Sequence, residues 1–515
     1  MSKSVTLNAN GHSVKLTGHP LRQVGQSFAP NTERIFDVEH GTLILIGLSF
    51  ANAGLVQPAG KNGTNGKNGT SGAAGTGRDG TAGSPGTSAT PGRLAEGGAI
   101  LVDKGASLVA EFSTFSGDHV FGGDGGNGGN GGNGGNGGSG AASNGNGGNG
   151  SIGANGGAGA DGAPGMGGAI YNAGTLVLID DSFFFDGATG GEGGFGGSGG
   201  ASGNGGNAAG DGSGGGAGSL AGIGGDGGNS TAGYGGAVYS TAPVSVAGGS
   251  FVANTASGTN GGRGGNGGAG GSGGQAGSGG ASGGNGGNGA SGGFAGLGSS
   301  GSGGAIYAAG QVQLSQVSFE SDTAIGGEGG NGGSGGEGGG DGGLNSTNGA
   351  GGNGQDGTNG GGAFGAGVFA PAGALESDVV SFAHDQLLPG RGGGGGYAGQ
   401  GSPNGKTGLN GAKGKSGFLN VDGAVSTGLG ISTTKLAGGH VHAKYSAKLV
   451  GTKGKPPYHW SIISGQLPKG LVLSPTTGAI SGTPTSKGTF AFVIKVADSS
   501  KVTEYSIESL SITIT

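Results

Sequence analysis

The side chains best able to carry chemistry in this sequence are carboxylates. Asp180, Asp181, Asp186, Glu320, Asp322, Glu376 and Asp378 fall at related places in a recurring unit. Gathered on one face, such groups could form an acid–base pair or hold calcium for polysaccharide cleavage. The pattern argues against it. The stretch Val246–Ser250 has no acid at the related place, and the best copies of the unit contain no arginine. These acids therefore read as solvated surface groups, and the sequence offers no catalytic residue, cofactor or metal site. Two GGxGxD-like strings, at Gly156 and Gly351, have the letters of calcium loops. Such loops share ions between successive turns and work in tandem, so two isolated matches in a glycine-rich chain read as chance. There is no cysteine, hence no disulfide, thiolate ligand or thiol nucleophile. No GxxxxGK[ST] loop is present. His12, His19 and His40 are scattered and read as surface residues, and the NGT strings at Asn62 and Asn68 matter only in a eukaryotic secretory host.

The elements that position these residues form an array. The clearest unit is GGAIYNAGTLVLIDDSFFFDGATGG from Gly167, with sisters from Gly235 and Gly303, weaker copies from Gly97 and Gly365, and a degenerate copy near Arg34. Each ends in a Ser/Thr-Phe pair, with phenylalanines at Phe50, Phe115, Phe183, Phe251, Phe319 and Phe382, spaced 65, 68, 68, 68 and 63 residues apart. A repeated period of this kind marks stacked units. Within one copy Ala169, Ile170 and Tyr171 read as a strand, Thr175–Ile179 as a second, and the Ser-Phe pair as the start of a third. Three short strands in about 23 residues match one rung of a right-handed parallel β-helix. Stacking would set Ile100, Ile170, Val238 and Ile306 in one ladder and the six phenylalanines in another. Both ladders read as core.

Glycine is 151 of 515 residues, and most of it lies in excursions between rungs, roughly 58–96, 122–166, 188–234, 260–302, 326–364 and 390–417. GGDGGNGGNGGNGGNGGSG from Gly122 repeats every three residues, the period of a threefold extended helix. Two edges of such a helix are bare, so neighbours can approach until backbone N–H meets C=O. One helix alone would lose too much entropy to be stable. Six delivered in register by the rungs could form a bundle, with Asn127, Asn130, Asn133 and Asn136 on a candidate binding face. The first and last excursions are G-x-x with lysines, as suits the outside of a bundle. With only 15 prolines and no uniform triplet, collagen is excluded.

Three resemblances attach to these residues. GGAIYNAGTLVLIDDSFFF is similar to the GGAI-type repeats of polymorphic outer-membrane proteins and related bacterial surface β-helix proteins, though those lack the glycine excursions and this chain shows no translocator barrel. The glycine triplets resemble the polyglycine-II bundles of snow-flea antifreeze protein and of phage tail-fibre adhesins. PPYHWSI…GQLPKGLVLSPTTGAISGTPTSKGTFAFVIKVAD resembles an immunoglobulin-like family, related to cadherin-like and dystroglycan-type modules, of bacterial surface proteins; it implies an extracellular spacer or adhesion module without catalysis.

The expected chain is thus all-β. A β cap (1–30) precedes six rungs (about 31–57, 97–121, 167–187, 235–259, 303–325 and 365–389) with a lateral polyglycine-II bundle, and an Ig-like sandwich (433–515) follows. A net charge of −6 gives no footprint for nucleic acid. No apolar run is long enough to span a bilayer, and the start lacks the apolar stretch of an ordinary signal peptide. The expected function is an extracellular or cell-surface structural or adhesive protein, binding itself, a surface glycan or another surface protein, with filament assembly from open strand edges. Ice or glycan binding by the flat face is the alternative, and a β-helix polysaccharide lyase or hydrolase the third reading.

Overall fold

The computed structural model describes most of residues 32–416 and 430–515 together with short strands before residue 29; residues 142–144, 280–281, 372–374, 379, 417–424, 427–429, 434, 453–455, 498, 500–504 and most of 1–31 lie outside the description. Among the described residues there is no helix, and so none that could cross a membrane. Six coils stack into parallel sheets. Coil 3 illustrates the unit: strands Gly165–Met166, Ile170–Asn172, Thr175–Ile179, Ser182–Phe184 and Gly187–Thr189. Each pairs in parallel with its equivalent one period away, as Ile170 pairs with Ile100 and Val238. The expected three strands per rung are therefore five in coils 2 to 6. The two extra strands flank the excursions, where Gly165–Met166 and Gly187–Thr189 have too few side chains to show an alternating pattern. Of the expected N-terminal cap, Ser4–Asn8 and Val14–Thr17 pair in parallel with Thr42–Ile46 and Leu48–Ala51 of coil 1; most of the rest lies outside the described residues.

The core is built of ladders. Phe50, Phe115, Phe183, Phe251, Phe319 and Phe382 stack ring on ring with centroids 4.7–5.0 Å apart. The first five are essentially fully buried and Phe382, on the last coil, is half-buried. Ile100, Ile170, Val238 and Ile306 form a second ladder, continued by Phe36 and Val368. A buried aromatic removes enough apolar area from water to stabilise by about 2–3 kcal/mol. Repeating it every coil is what allows a body this thin to have a core.

The glycine excursions are ordered hairpins, each with an outgoing and a returning arm. In the outgoing layer Gly128 N–H donates to Phe195 O, Gly196 to Arg263 O, Gly264 to Asn331 O and Gly332 to Gly394 O, at 2.8–3.0 Å. A second set zigzags between layers: Thr87 to Thr64 O, Gly129 to Thr87 O, Gly157 to Gly129 O, Gly197 to Gly157 O, and onward through Gly225, Gly265, Gly293 and Gly333, at 2.7–3.0 Å. The arms therefore make a two-layer plate. Its glycines are sterically compulsory. A Cβ on Gly129 would collide with Thr64 O, one on Gly197 with Gly129 O, and one on Gly265 with Gly197 O.

Strands from Gly430 to Ile514 form antiparallel sheets: Tyr445–Lys448 with Ala479–Gly482 and Leu471–Leu473, and His459–Gly465 with Gly488–Ala497 and Tyr505–Ile514. Trp460, Ile480, Phe492, Ile494 and Ile512 fill the core between them. Gly478, at φ +67°, packs under the Trp460 ring, where a Cβ would stand 2.9 Å from it. This unit leans on the outer face of the β-helix, burying Val493 against Ile179 and Ala247.

Candidate binding surface and the buried carboxylates

Each triplet of an arm has three N–H groups, two of which the backbone of the plate regularly pairs. One goes to the next row and one crosses layers. The third points outward, where no further chain lies, and a buried or crowded N–H without a partner is costly. Where an asparagine stands in the same column one row earlier, its side chain answers this. Asn127 Oδ1 accepts from Phe195 N–H, Asn130 from Ser198, Asn133 from Ala201 and Asn136 from Asn204, at 2.7–2.9 Å. Asn62, Asn65 and Asn68 do the same one row earlier, for Asn127, Asn130 and Asn133. The backbone donor fixes which way each amide is turned. The candidate face thus has its carbonyl oxygens committed and its exposed Nδ2 groups free to donate.

The two end rows carry a different device. N–H groups with no earlier row to meet are capped by hydroxyls, Lys61 by Thr90, Thr64 by Thr87, Lys67 by Ser84 and Thr70 by Thr81, each at 2.7 Å. At the far end Asn410 Oδ1 accepts from Gly395 N–H and Thr407 Oγ1 from Ala398 N–H. The G-x-x pattern of the terminal excursions thus brings capping side chains to the edge.

The carboxylates differ from expectation. Asp181, Asp186 and Asp322 are buried rather than solvated; Asp180 is half-buried, Glu320 exposed, and the side chains of Glu376 and Asp378 lie outside the described residues. Asp118, Asp186, Asn254, Asp322 and Asp385 form one column, a single residue per coil. Each accepts the backbone N–H of its predecessor in the column: Asp118 from Ala53, Asp186 from Asp118, Asn254 from Asp186, Asp322 from Asn254, Asp385 from Asp322, at 2.7–3.1 Å. The residue before each acid or amide, Gly117, Phe185, Ala253, Ser321 or His384, has φ of 56–67° and turns the chain. The second oxygens of Asp118, Asp186, Asp322 and Asp385 have no partner. Burial drives these carboxyls up, Asp118 to about 7 and Asp385 to about 6, with Asp186 and Asp322 well above the usual range. Because the column runs along the stack and each group holds a neighbouring coil, its geometry serves turns rather than a substrate. The two GGxGxD acids likewise bridge backbone, Asp161 to Asn229 N–H and Asp356 to Leu409 N–H. Among the described residues no group of three metal-ligating side chains comes together.

Residues 430–515 match the family described as "Putative Ig domain". No curated protein matches the chain. Solved structures similar to part of it include a "putative alpha-galactosidase" from Bacteroides fragilis, 25% identical over 18% of this chain and 19% of that one (TM-score 0.15). The extracellular domain of protocadherin gammaB4 is 10% identical over 17% of each chain (TM-score 0.15). A human CDH23 fragment, EC21-23, is 13% identical over 22% and 38% (TM-score 0.15). The chain spans less than a fifth of the length of the first two.

One further feature escaped sequence reading. Tyr171, Tyr239 and Tyr307 stack on the outside of the β-helix, centroids 5.2 and 5.1 Å apart, with Tyr234 against Tyr307 at 4.9 Å. Burial and neighbouring groups raise Tyr171 and Tyr239 to about 12. Their ring faces cover one another, so they offer a sugar no open ring to stack upon. The signal was the tyrosine of AIY and AVY recurring at the same period.

Proposed function

We propose that this chain is an extracellular structural and adhesive protein without catalytic function, in which a β-helix holds a plate of polyglycine-II helices rigid and an Ig-like unit spaces or anchors it. The observation that carries this reading is the pairing of arm glycine N–H groups in two directions, along the rows and across the layers, which makes a flat, stiff surface from sequence that would otherwise be linker. Three residues per repeat, negative φ along the arms and hydrogen bonds in two directions support polyglycine II. The outgoing face offers a partner amide donors from Asn127, Asn130, Asn133 and Asn136 at intervals of about 9 Å, three residues at roughly 3.1 Å each. Donors without acceptors suit an oxygen-rich partner, a surface glycan above all. Ig-like modules being typical of extracellular proteins supports the location. The test is a glycan array probed with the full chain, followed by the Asn130→Ala/Asn133→Ala variant. Binding weakened by that variant supports the proposal. Cleavage of acidic glycans, with or without calcium, would contradict it, as would no binding to any glycan or cell surface.

A further inference from the structure

The two broad faces of the plate are not alike. The outgoing face carries two exposed large apolar side chains, Phe195 and Tyr397, far apart in the grid. The returning face carries seven, Leu94 at the base of the first arm and, further out, Ile152, Leu220, Ile223, Phe294, Leu297 and Leu409, each 47–71% exposed. Their grid positions follow from the hydrogen bonds. Gly153 N–H meets Leu220 O and Ala221 meets Asn288 O, so Ile152, Leu220 and Asn288 share a column. Ile223 and Ser291 share the next through Gly224, Asp226 and Phe294 the next through Gly227, and Asn229 and Leu297 the last through Ser230. Leu220 and Ile223 lie in the third returning arm, Phe294 and Leu297 in the fourth. Apart from Leu94 at the base, the apolar residues therefore run as a diagonal across the middle of the face.

We infer that the returning face pairs with the same face of a second copy of this chain, about a two-fold axis lying in the face between the third and fourth returning arms and parallel to them. That operation swaps the third row with the fourth and keeps every column. It sets Leu220 over Asn288, Ile223 over Ser291, Leu297 over Asn229 and Phe294 over Asp226, so each large side chain meets a shorter one and knobs interdigitate. It brings no carboxylate directly over another; Asp161 comes over Asn359, whose amide can donate to it. Self-complementarity under a two-fold is what an isologous interface requires. The area suffices. Five columns at about 9.3 Å and six rows at about 4.8 Å give a face of roughly 1,300 Å², against about 800 Å² per partner in a standard stable interface. A rigid plate also has little entropy to lose on pairing. The capped end rows turn assembly away from the edges and toward this face. The inference rests on the ordered plate and not on the glycan reading, so either can fail alone.

Sedimentation velocity on the full chain over a range of concentrations tests it. A dimer is expected. Leu220→Asn with Phe294→Ser should weaken it by roughly 30-fold or more, the scale of a central anchor, with circular dichroism unchanged. Leu297→Lys alone should weaken it too, by placing a charge at the same seam. Phe195→Ser with Tyr397→Ser, on the opposite face, should leave it intact. A chain that stays monomeric up to about 100 μM, or a dimer that survives the returning-face variants, or one lost only on the outgoing-face variant, would overturn the assignment.

Discussion

The β-helix and the plate are opposite solutions to one problem. In the coils, side chains make the core: Phe183 lies 4.8 Å from Phe115 and 4.7 Å from Phe251, and the backbone merely holds them in register. In the plate the backbone is the core, and the side chains have been removed from it so that Gly129, Gly157, Gly197 and Gly225 can hydrogen-bond across layers. A coil is stable because burial of apolar area is favourable. A glycine arm buries almost none, and glycine has the most entropy to lose. It can order only because the coils have already fixed where the arms leave and return, at the spacing of neighbouring strands. The dependence should therefore run one way.

Phe183→Ala should have the largest effect, about 3–5 kcal/mol for an aromatic removed from a packed core. Thermal unfolding would show it, and amide protection of the arms should fall with that of the coils. Gly197→Val should be more confined. Its side chain has nowhere to go beside Gly129 O, so adjacent arms should open to limited proteolysis at a cost of about 1–3 kcal/mol per buried backbone pair lost, while the coils keep their melting. Coils that unfold first when Gly197 is changed would invert the comparison.

The carboxylate column sharpens it further, because it belongs to the coils alone. Asp118, Asp186, Asp322 and Asp385 sit above their ordinary range through desolvation. Acidic neighbours add to this, Asp118 and Asp322 at Asp186, Asp385 at Asp322 and Glu320 at Asp385, while the backbone N–H that each carboxylate accepts, the Asn254 amide at Asp322 and His384 at Asp385 offset it only in part. A carboxyl with a raised folded pKa binds its proton more tightly when native. Stability is then full below the unfolded pKa of about 4 and falls as pH rises from there, the contributions of Asp118 and Asp385 being lost by about pH 7 and about pH 6. Melting temperatures across pH 4–8 should fall through that window, and Asp186→Asn should flatten the slope. Smallest of all, Asn130→Ala removes one acceptor at an exposed position and should cost about 1 kcal/mol or less, seen as faster exchange at Ser198 N–H alone.

Much of this was legible in the sequence. The six-fold period, the phenylalanine and isoleucine ladders and the C-terminal antiparallel unit follow from spacing and alternation. The column was also written there: Asp118, Asp186, Asn254, Asp322 and Asp385 each lie three residues after a ladder phenylalanine. It read as surface because an acid in a turn is usually solvated, and only the fold shows the turn closed over by the next coil. The role of asparagine was hidden for a related reason. That a third of the arm N–H groups point outward, where a side chain one row earlier can cap them, appears only once two layers and their direction are known. The leaning of Val493 on Ile179 and Ala247 joins parts more than 200 residues apart and leaves no periodic trace.

The most direct test of the whole account is hydrogen–deuterium exchange along the arms. If the plate is held by its backbone, the amides of Gly129, Gly157, Gly197 and Gly225 should be protected by orders of magnitude over an unstructured glycine peptide, rivalling those of Ile170 and Phe183. Exchange of these glycines at unstructured rates, with the coil amides still protected, would reduce the excursions to tethered linker and remove the surface on which the proposed function stands.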